Sequence, residues 1–285
     1  MAVKAQWIID QIEKLAPPEK TLHWDNAGFQ VGSKDADVDL AIVALDCTDD
    51  VISEAVSAKA QMVITHHPLI FYKLDNVIDS DPTSRKIIKL IQQNICLFSS
   101  HTAMDLAPEG TNDILAEYLD LTELEPLLTQ GEEAGLGRVG RLKKPCSLAE
   151  FAQFVSKKLN TDLRYCGDPT AVIEKAAFIA GGGSGPEYFQ AAIKAGAQVY
   201  LTGDVKYSQA LTALDLGLCL IDATHYATEV ILAKNLSKRL NRIARAEGKD
   251  VRFVPYEKCG QVFVSVTPEI EYYEFDLNPL EDSEF

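Results

Sequence analysis

The fold is indicated most directly by the stretch KAQMVITHH (residues 59–67), in which a short apolar run ends on two adjacent histidines. A second stretch, AGAQVYLTGD (residues 195–204), repeats the Ala-Gln, the apolar run and the Thr, but carries Gly-Asp where the first has His-His. Short continuous apolar runs are typical of strands in a parallel sheet that is covered on both faces. Both stretches are therefore predicted to be buried strands.

The same series of elements precedes each of these stretches. IVALDCT (residues 42–48) and FIAGGGS (residues 178–184) both have the pattern of a strand and a turn, and each leads into a segment with helical spacing. The repeat predicts an α/β protein built from two related α/β modules with mixed, largely parallel sheets. The alternative is a pair of generic strand–helix–strand units, which share this order without common ancestry.

Glycine and proline residues between positions 123 and 140 separate the two modules. We predict a first module over residues 1–125 and a second over residues 126–224. Residues 225–285 are predicted to form a long helix and a C-terminal segment that returns toward the first module. The acidic end of that segment, residues 269–285, has the pattern of a strand and a tail.

The composition limits the classes of function. The chain has 285 residues, a formal net charge of -15 and a pI near 4.8, so it lacks the basic face that broad nucleic-acid or anionic-membrane binding requires. A small anionic substrate remains compatible, because bound metal cations reverse the local field. The six cysteines form no CxxC pair, which argues against thiolate zinc clusters. With no long apolar segment or leader, we expect a cytoplasmic protein.

Four of the five histidines fall in three short segments. HTAMD (residues 101–105) and HYATE (residues 225–229) each place a carboxylate four residues after a histidine, so that both side chains share one face of a helix. With His66 and His67, these segments all follow apolar runs, and ligands bind at the carboxyl ends of strands in open α/β sheets. Neutral imidazole nitrogens and anionic oxygens together favour a metal site.

This set of side chains exceeds the four ligands of one tetrahedral zinc. It suits two divalent transition metal ions that share a bridging carboxylate, and its nitrogen and oxygen donors favour zinc, iron, manganese or nickel. In the alternative, His101 and Asp105 pair with each other by a hydrogen bond and the site holds one ion.

Two further motifs have less specific patterns. GGGSGP (residues 181–186) either presents backbone N–H groups to an anion or forms a tight turn between a strand and a helix, and the lack of a P-loop lysine favours the turn. HWDNAG (residues 23–28) has the pattern of an ordinary polar loop in which Asp and Asn cap their own backbone.

Together, the motifs resemble those of the NGG-interacting-factor-like proteins, the dinuclear metal centre proteins of YbgI type that are often labelled GTP cyclohydrolase 1 type 2. The resemblance rests on WDNAGFQVG (residues 24–32), THHPLIF (residues 65–71), TGD (residues 202–204), HTAMD and HYATE, and it extends from about Trp7 to Val264. It implies a two-domain α/β protein with a dinuclear site in the interdomain cleft, assembled as a toroidal homohexamer.

The resemblance also implies the site residues. The metal ligands would be His66, His67, Asp105, His225 and Glu229, with Glu229 as the bridge. His101 lies beside them in sequence, and we predict that it is a catalytic residue near the metals, which orients a ligand or passes a proton to the leaving group.

The activity implied is hydrolytic opening of the guanine imidazole ring of GTP, with release of formate. Our leading hypothesis is therefore a dinuclear metal-dependent hydrolase acting on a small molecule of nucleotide type. One alternative is a two-metal phosphoesterase acting on a nucleotide-like substrate. The other is a non-catalytic metal-handling or regulatory scaffold protein, because a fold does not fix a substrate.

Overall fold

The computed structural model describes residues 2–258 and 260–264, and most of its strands form two sheets. Each sheet has a parallel centre, as the apolar runs predict. The strands in chain order are β1 (Val3–Lys4), β2 (Gly28–Val31), β3 (Asp37–Val38), β4 (Leu40–Ala44), β5 (Met62–Thr65), β6 (Cys96–Ser99), β7 (Thr122–Pro126), β8 (Arg138–Ser147), β9 (Arg164–Cys166), β10 (Val172–Phe178), β11 (Val199–Thr202), β12 (Cys219–Asp222) and β13 (Arg252–Pro255).

The first sheet has the order β13-β4-β5-β6-β2, with β2 antiparallel and all other neighbours parallel. The second sheet has the order β7-β8-β10-β11-β12-β9, in which β10, β11 and β12 are parallel and the outer pairings are antiparallel. The prediction of two related α/β modules with mixed sheets is confirmed. The exact division of the chain at residues 125 and 224 stays a prediction.

Helices connect the strands, and local sequence explains several helix starts. The Thr48 hydroxyl accepts a hydrogen bond from the Val51 N–H, and Ser147 and Glu150 form a reciprocal capping box. The predicted long helix after residue 225 is present as two consecutive helices that meet at Val230. The helices are α1 (Ala5–Leu15), α2 (Asp49–Ala58), α3 (Pro82–Gln92), α4 (Thr102–Leu106), α5 (Thr111–Tyr118), α6 (Leu148–Leu159), α7 (Pro186–Lys194), α8 (Tyr207–Asp215), α9 (His225–Glu229) and α10 (Ile231–Ala246).

One continuous hydrophobic core lies between the two sheets. It joins the inner faces of both sheets to apolar side chains of α1, α5, α6 and α10. Two smaller clusters cover the outer faces, one containing Ile52 and Leu90 and the other containing Phe189 and Tyr200. Both faces of each sheet are therefore buried, and the two halves share packing that does not depend on a metal.

The carboxyl ends of the central strands are aligned. Thr65 pairs in register with Ser99 in the first sheet, and Thr202 pairs with Asp222 in the second. Equivalent hydrogen bonds continue each ladder by one step, from the Ser100 N–H to the Thr65 carbonyl and from the Ala223 N–H to the Thr202 carbonyl. The histidine-bearing segments begin directly after these matched ends.

Within residues 2–258 and 260–264, none of the helices combines the length and the apolar character needed to cross a membrane. The strand and tail predicted for residues 269–285 lie outside the described residues.

Candidate metal centre

The predicted site residues come from three neighbouring strand ends. His66 and His67 directly follow β5, Asp105 lies in α4 after β6, and His225 and Glu229 begin and end α9 after β12. The structure brings all five together, although they lie up to 163 positions apart in the sequence, 229 minus 66. Their assignment as metal ligands stays a prediction, which the geometry below supports.

Glu229 lies at the centre of this group. Its Oε1 is 3.7 Å from His66 Nε2, while its Oε2 is 3.0 Å from His67 Nε2 and 2.9 Å from His225 Nε2. His66 Nε2 is also 3.4 Å from Asp105 Oδ1, and the His67 and His225 Nε2 atoms are 3.3 Å apart. Glu229 thus contacts three imidazoles, His66 through Oε1 and both His67 and His225 through Oε2.

Three buried polar atoms in this cluster lack hydrogen-bond partners within the described part of the chain: His66 Nε2, Asp105 Oδ1 and Glu229 Oε2. Glu229 Oε2 approaches two imidazole nitrogens closely, but without the alignment of a hydrogen bond. Leaving a buried polar atom unpaired costs about 1–3 kcal/mol, and more for a charged group. Unpaired atoms that converge on a common space are the arrangement expected of metal ligands.

Three groups of side chains in the described residues have ligand atoms within 4.8 Å of one another: His66, Asp105 and Glu229; His67, His225 and Glu229; and His66, His67 and His101. Only the first two contain carboxylates, and they share Glu229. Each of these two groups supplies nitrogen and oxygen donors suited to zinc, iron, manganese or nickel. The cluster therefore fits two divalent cations with Glu229 between them.

The outer nitrogen of each candidate ligand histidine has a partner of its own. Asp46 Oδ1 lies 2.8 Å from His67 Nδ1, and Asp204 Oδ2 lies 2.8 Å from His225 Nδ1. The Ser100 carbonyl lies 3.0 Å from His66 Nδ1. These acceptors place the proton on Nδ1, so that the Nε2 lone pair faces the centre, as metal-ligating histidines require.

His101 is held in a different way. Its Nδ1 lies 3.0 Å from Asp25 Oδ1, and the other oxygen of Asp25 accepts hydrogen bonds from the Thr102 N–H and hydroxyl. The alternative in which His101 pairs with Asp105 is therefore not observed. The His101 ring lies edge-on to His66 and His67, with ring centroids 5.2 and 5.4 Å apart.

Asp25 is a site residue that the sequence analysis missed. The interpretation of residues 23–28 as an ordinary loop that caps its own backbone is wrong for Asp25, whose side chain is fully buried against α4. Burial raises its pKa, but the hydrogen bonds from His101 and Thr102 outweigh burial and hold the pKa below its usual value. Asp25 is thus an anion that positions the His101 ring.

From the protein groups alone, the neighbouring carboxylates raise the pKa of His66, His67 and His225 and the imidazoles lower the pKa of Glu229. Burial lowers the pKa of His67, but the hydrogen bond to Asp46 and the close Glu229 carboxylate outweigh it and raise that pKa to about 10. Burial likewise lowers the pKa of His225, but its carboxylate partners raise it to about 9. Burial raises the pKa of Glu229, and the surrounding imidazoles reverse this effect and hold it well below its usual value. Metal binding must therefore displace protons.

The backbone is shaped to admit α9. A Cβ at Gly181 would lie 2.1 Å from Glu229 Oε1, and a Cβ at Gly203 would lie 2.3 Å from the His225 nitrogen, so neither position has room for a side chain. Thr224, directly before His225, has φ +66° and ψ 146°, a conformation that is strained for a β-branched residue. The glycine run that begins at Gly181 thus forms the predicted tight turn, and its first residue makes space for Glu229.

Two cavities meet at the cluster, and both are lined by His67 and His225. The larger, of about 960 Å³, has acidic walls that include Asp162, and Arg164, which pairs with Asp222, is the one Lys or Arg among its described lining residues. The smaller, of about 400 Å³, is bounded by aromatic side chains and Glu133 and is called the aromatic cavity below. Both volumes lie in the range of small-molecule sites.

Comparison with known proteins identifies the family and the fold. The model of the family described as Duf34/NIF3 (NGG1p interacting factor 3) matches residues 3–259. A Clostridium acetobutylicum protein described as a GTP cyclohydrolase 1 type 2 homolog is 35% identical over 251 residues, which is 85% of this chain and 93% of that protein. A hypothetical protein of Staphylococcus aureus superimposes with a TM-score of 0.87 at 26% identity, covering 93% of this chain and 100% of the other. Reduced HcgD from Methanocaldococcus jannaschii superimposes with a TM-score of 0.75 at 31% identity, covering 90% of this chain and 99% of HcgD. The resemblance drawn from the motifs is confirmed.

Proposed function

This chain belongs to the Duf34/NIF3 (NGG1p interacting factor 3) family, and we propose that it is a dinuclear metal-dependent hydrolase acting on a nucleotide. The observation that carries the proposal is the convergence of buried, unpaired donor atoms of His66, Asp105 and Glu229 beside two further imidazoles. A purely structural cluster would be expected to satisfy these atoms by hydrogen bonds within the protein.

The proposal assigns a role to each residue of the cluster. His66 and Asp105 would hold one cation, His67 and His225 the other, and Glu229 both. When bound, such a pair of cations lowers the pKa of a water molecule and polarises the bond under attack. The Asp46 and Asp204 carboxylates keep the His67 and His225 rings in the orientation that this requires.

His101 is assigned the proton transfer. Asp25 holds its Nδ1, which leaves Nε2 as the atom that exchanges a proton with the substrate. A positioned imidazole contributes about 10²–10⁴-fold to the rate of such a step. Because Asp25 contacts His101 and not the cluster ligands, this role is separable from metal binding.

The leading reaction is hydrolytic opening of the guanine imidazole ring of GTP, which the family resemblance implies, and the relatives are described as GTP cyclohydrolase 1 type 2 homologs. Two water molecules would be consumed. The bonds of C8 to N9 and to N7 are cleaved, C8 leaves as formate, and both nitrogens gain protons, one of them from His101 Nε2. We also propose, from the family resemblance, that the protein is a cytoplasmic homohexamer.

The test is metal analysis of the purified protein followed by a nucleotide panel. We expect two metal equivalents per chain and formate released in proportion to GTP consumed. Release of phosphate without formate would favour the two-metal phosphoesterase. If fully metal-loaded protein releases neither product, the non-catalytic scaffold protein would be favoured. Glu174→Ala, at an exposed residue that pairs with Arg141, is the matched control and should leave the products unchanged.

A further inference from the structure

The aromatic cavity has one wall of aromatic side chains beside the metal cluster, and Trp24 is the exposed one among them. Trp24 is 48% exposed, and its ring centroid lies 6.1 Å from that of Phe71 and 5.9 Å from that of His101. An indole that faces a concave space instead of a core is typical of a surface on which a flat ligand stacks. Because His101 and Glu229 line the same cavity, a ligand stacked on Trp24 would lie beside the cluster.

Another part of the wall carries a fixed carboxylate. The Tyr188 hydroxyl lies 3.2 Å from both oxygens of Glu133, so it donates to that carboxylate and orients it. A carboxylate offers about four acceptor positions, and this hydrogen bond occupies one of them. The loop that carries Glu133 is tied down by the preceding residue, because Glu132 accepts hydrogen bonds from the His23 N–H and contacts its Nδ1.

The charged groups that line the aromatic cavity are the histidines and carboxylates of the metal cluster and Glu133. No Lys or Arg is among the described residues that line it, and Glu133 would repel a phosphate placed directly beside it. The cavity of about 400 Å³ therefore suits the uncharged ring of a nucleotide better than its phosphates.

We propose that the aromatic cavity binds a planar nitrogen heterocycle that carries adjacent N–H donors, as guanine does at its N1 and 2-amino groups. The ring stacks on Trp24 and Phe71, and the paired donors meet the Glu133 carboxylate. This inference names the substrate class of the proposed hydrolase site, and it rests on that function for the reaction but not for binding.

The experiment measures binding of phosphate-free nucleosides to the zinc-loaded protein. The chain has two tryptophans, and Trp7 lies away from the cavity, hydrogen-bonded to Glu247, so Trp7→Phe leaves Trp24 as the single tryptophan reporter. We expect guanosine to quench Trp24 fluorescence saturably. Inosine, which lacks the 2-amino group, and adenosine, which also lacks the N1 proton, should bind at least about tenfold more weakly.

Glu133→Gln should weaken guanosine binding by about tenfold or more and remove the preference over inosine, without loss of zinc. Glu174→Gln is the matched control, because Glu174 pairs with Arg141 and does not line the cavity, and it should retain the preference. Equal affinity of the unsubstituted protein for the three nucleosides would overturn the proposal, and that comparison needs no variant at Glu133.

The two proposals fail in distinguishable ways. Guanosine binding with the expected preference, in a protein that releases no formate from GTP, would contradict the hydrolase and leave the cavity assignment in place. Formate release by Glu133→Gln at the unsubstituted rate and Michaelis constant would contradict the cavity assignment and leave the hydrolase in place.

Discussion

The segments HTAMD and HYATE have the same spacing but use their histidines differently. In the first, His101 turns its Nδ1 to Asp25, and Asp105 approaches an imidazole from another strand end, His66. In the second, His225 and Glu229 of the same turn lie 2.9 Å apart, with His225 Nε2 facing the centre. The repeated motif forms a short helix in both places, but His101 precedes α4 whereas His225 is the first residue of α9, and the two histidines face different partners.

The residues after the neighbouring strands explain this difference. The first half has Thr-His-His at residues 65–67, where the second has Thr-Gly-Asp at residues 202–204. His66 places a side chain beside the cluster in the first half. Its counterpart in the second half, Gly203, has no side chain, and the His225 backbone occupies the space that a Cβ at Gly203 would need. His67 supplies an Nε2 to the centre, while its counterpart Asp204 holds the outer nitrogen of His225. Which atom faces the centre is thus decided by the neighbouring strand and not by the motif itself.

The largest expected effect is the loss of metal when the shared carboxylate is removed. Glu229→Ala should abolish binding of both ions, because both donor groups that contain carboxylates include Glu229, whereas Asp105→Ala should remove only one. Elemental analysis of the purified variants measures this, with Glu174→Ala as the control. Two equivalents retained by Glu229→Ala would remove its bridging role.

The two histidines that begin the motifs should separate activity from metal content. His101→Ala is expected to keep two metal equivalents and lose about 10²–10⁴-fold in turnover, because a positioned proton donor is lost. His225→Ala should lose at least one equivalent. Asp25→Asn should lower turnover with unchanged metal, since Asp25 contacts His101 alone among the cluster histidines. Loss of a full equivalent in His101→Ala would make His101 a ligand.

Metal removal tests how far the cluster joins the two halves. A metal ion present at about 100 times its dissociation constant adds about 2.7 kcal/mol to the free energy of unfolding. Removing both ions by chelation should therefore lower the melting temperature by about 5–10 °C. The core between the sheets is continuous, so we expect the halves to remain docked after chelation. The check is a melting curve with small-angle scattering. A melting temperature that does not respond to complete chelation would show that the cluster adds no stability.

A smaller effect is expected from pH in the chelated protein, where His67 and His225 have pKa values of about 10 and about 9. Both values exceed the unfolded value near 6.5, so the stabilisation is complete below about pH 6.5 and is lost as the pH rises through the folded values. The melting temperature should therefore fall between about pH 7 and about pH 10. In the metal-loaded protein it should instead rise from about pH 5 to about pH 7, as protons stop competing for the imidazoles. A flat profile after chelation would contradict the assigned imidazolium–carboxylate contacts.

The sequence indicates the cluster residues because four of its five histidines follow apolar runs, where parallel strands bring their carboxyl ends together, and because the motifs match a known family. It does not reveal their partners. Asp25, Asp46 and Asp204 contact histidines 76, 21 and 21 positions away, and no local pattern marks these contacts. The aromatic cavity is likewise a product of tertiary packing, since Trp24, Glu133 and Tyr188 come from three separate loops and helices.

The central claim is that Glu229 joins two cations held by opposite halves of the cluster. A crystal structure of the zinc-loaded protein, with anomalous scattering recorded on both sides of the zinc edge, tests it most directly. We predict two zinc peaks about 3.5–4 Å apart, one beside His66 and Asp105 and one beside His67 and His225, with the Glu229 carboxylate contacting both. A single peak, or two peaks of which only one contacts Glu229, would contradict the account.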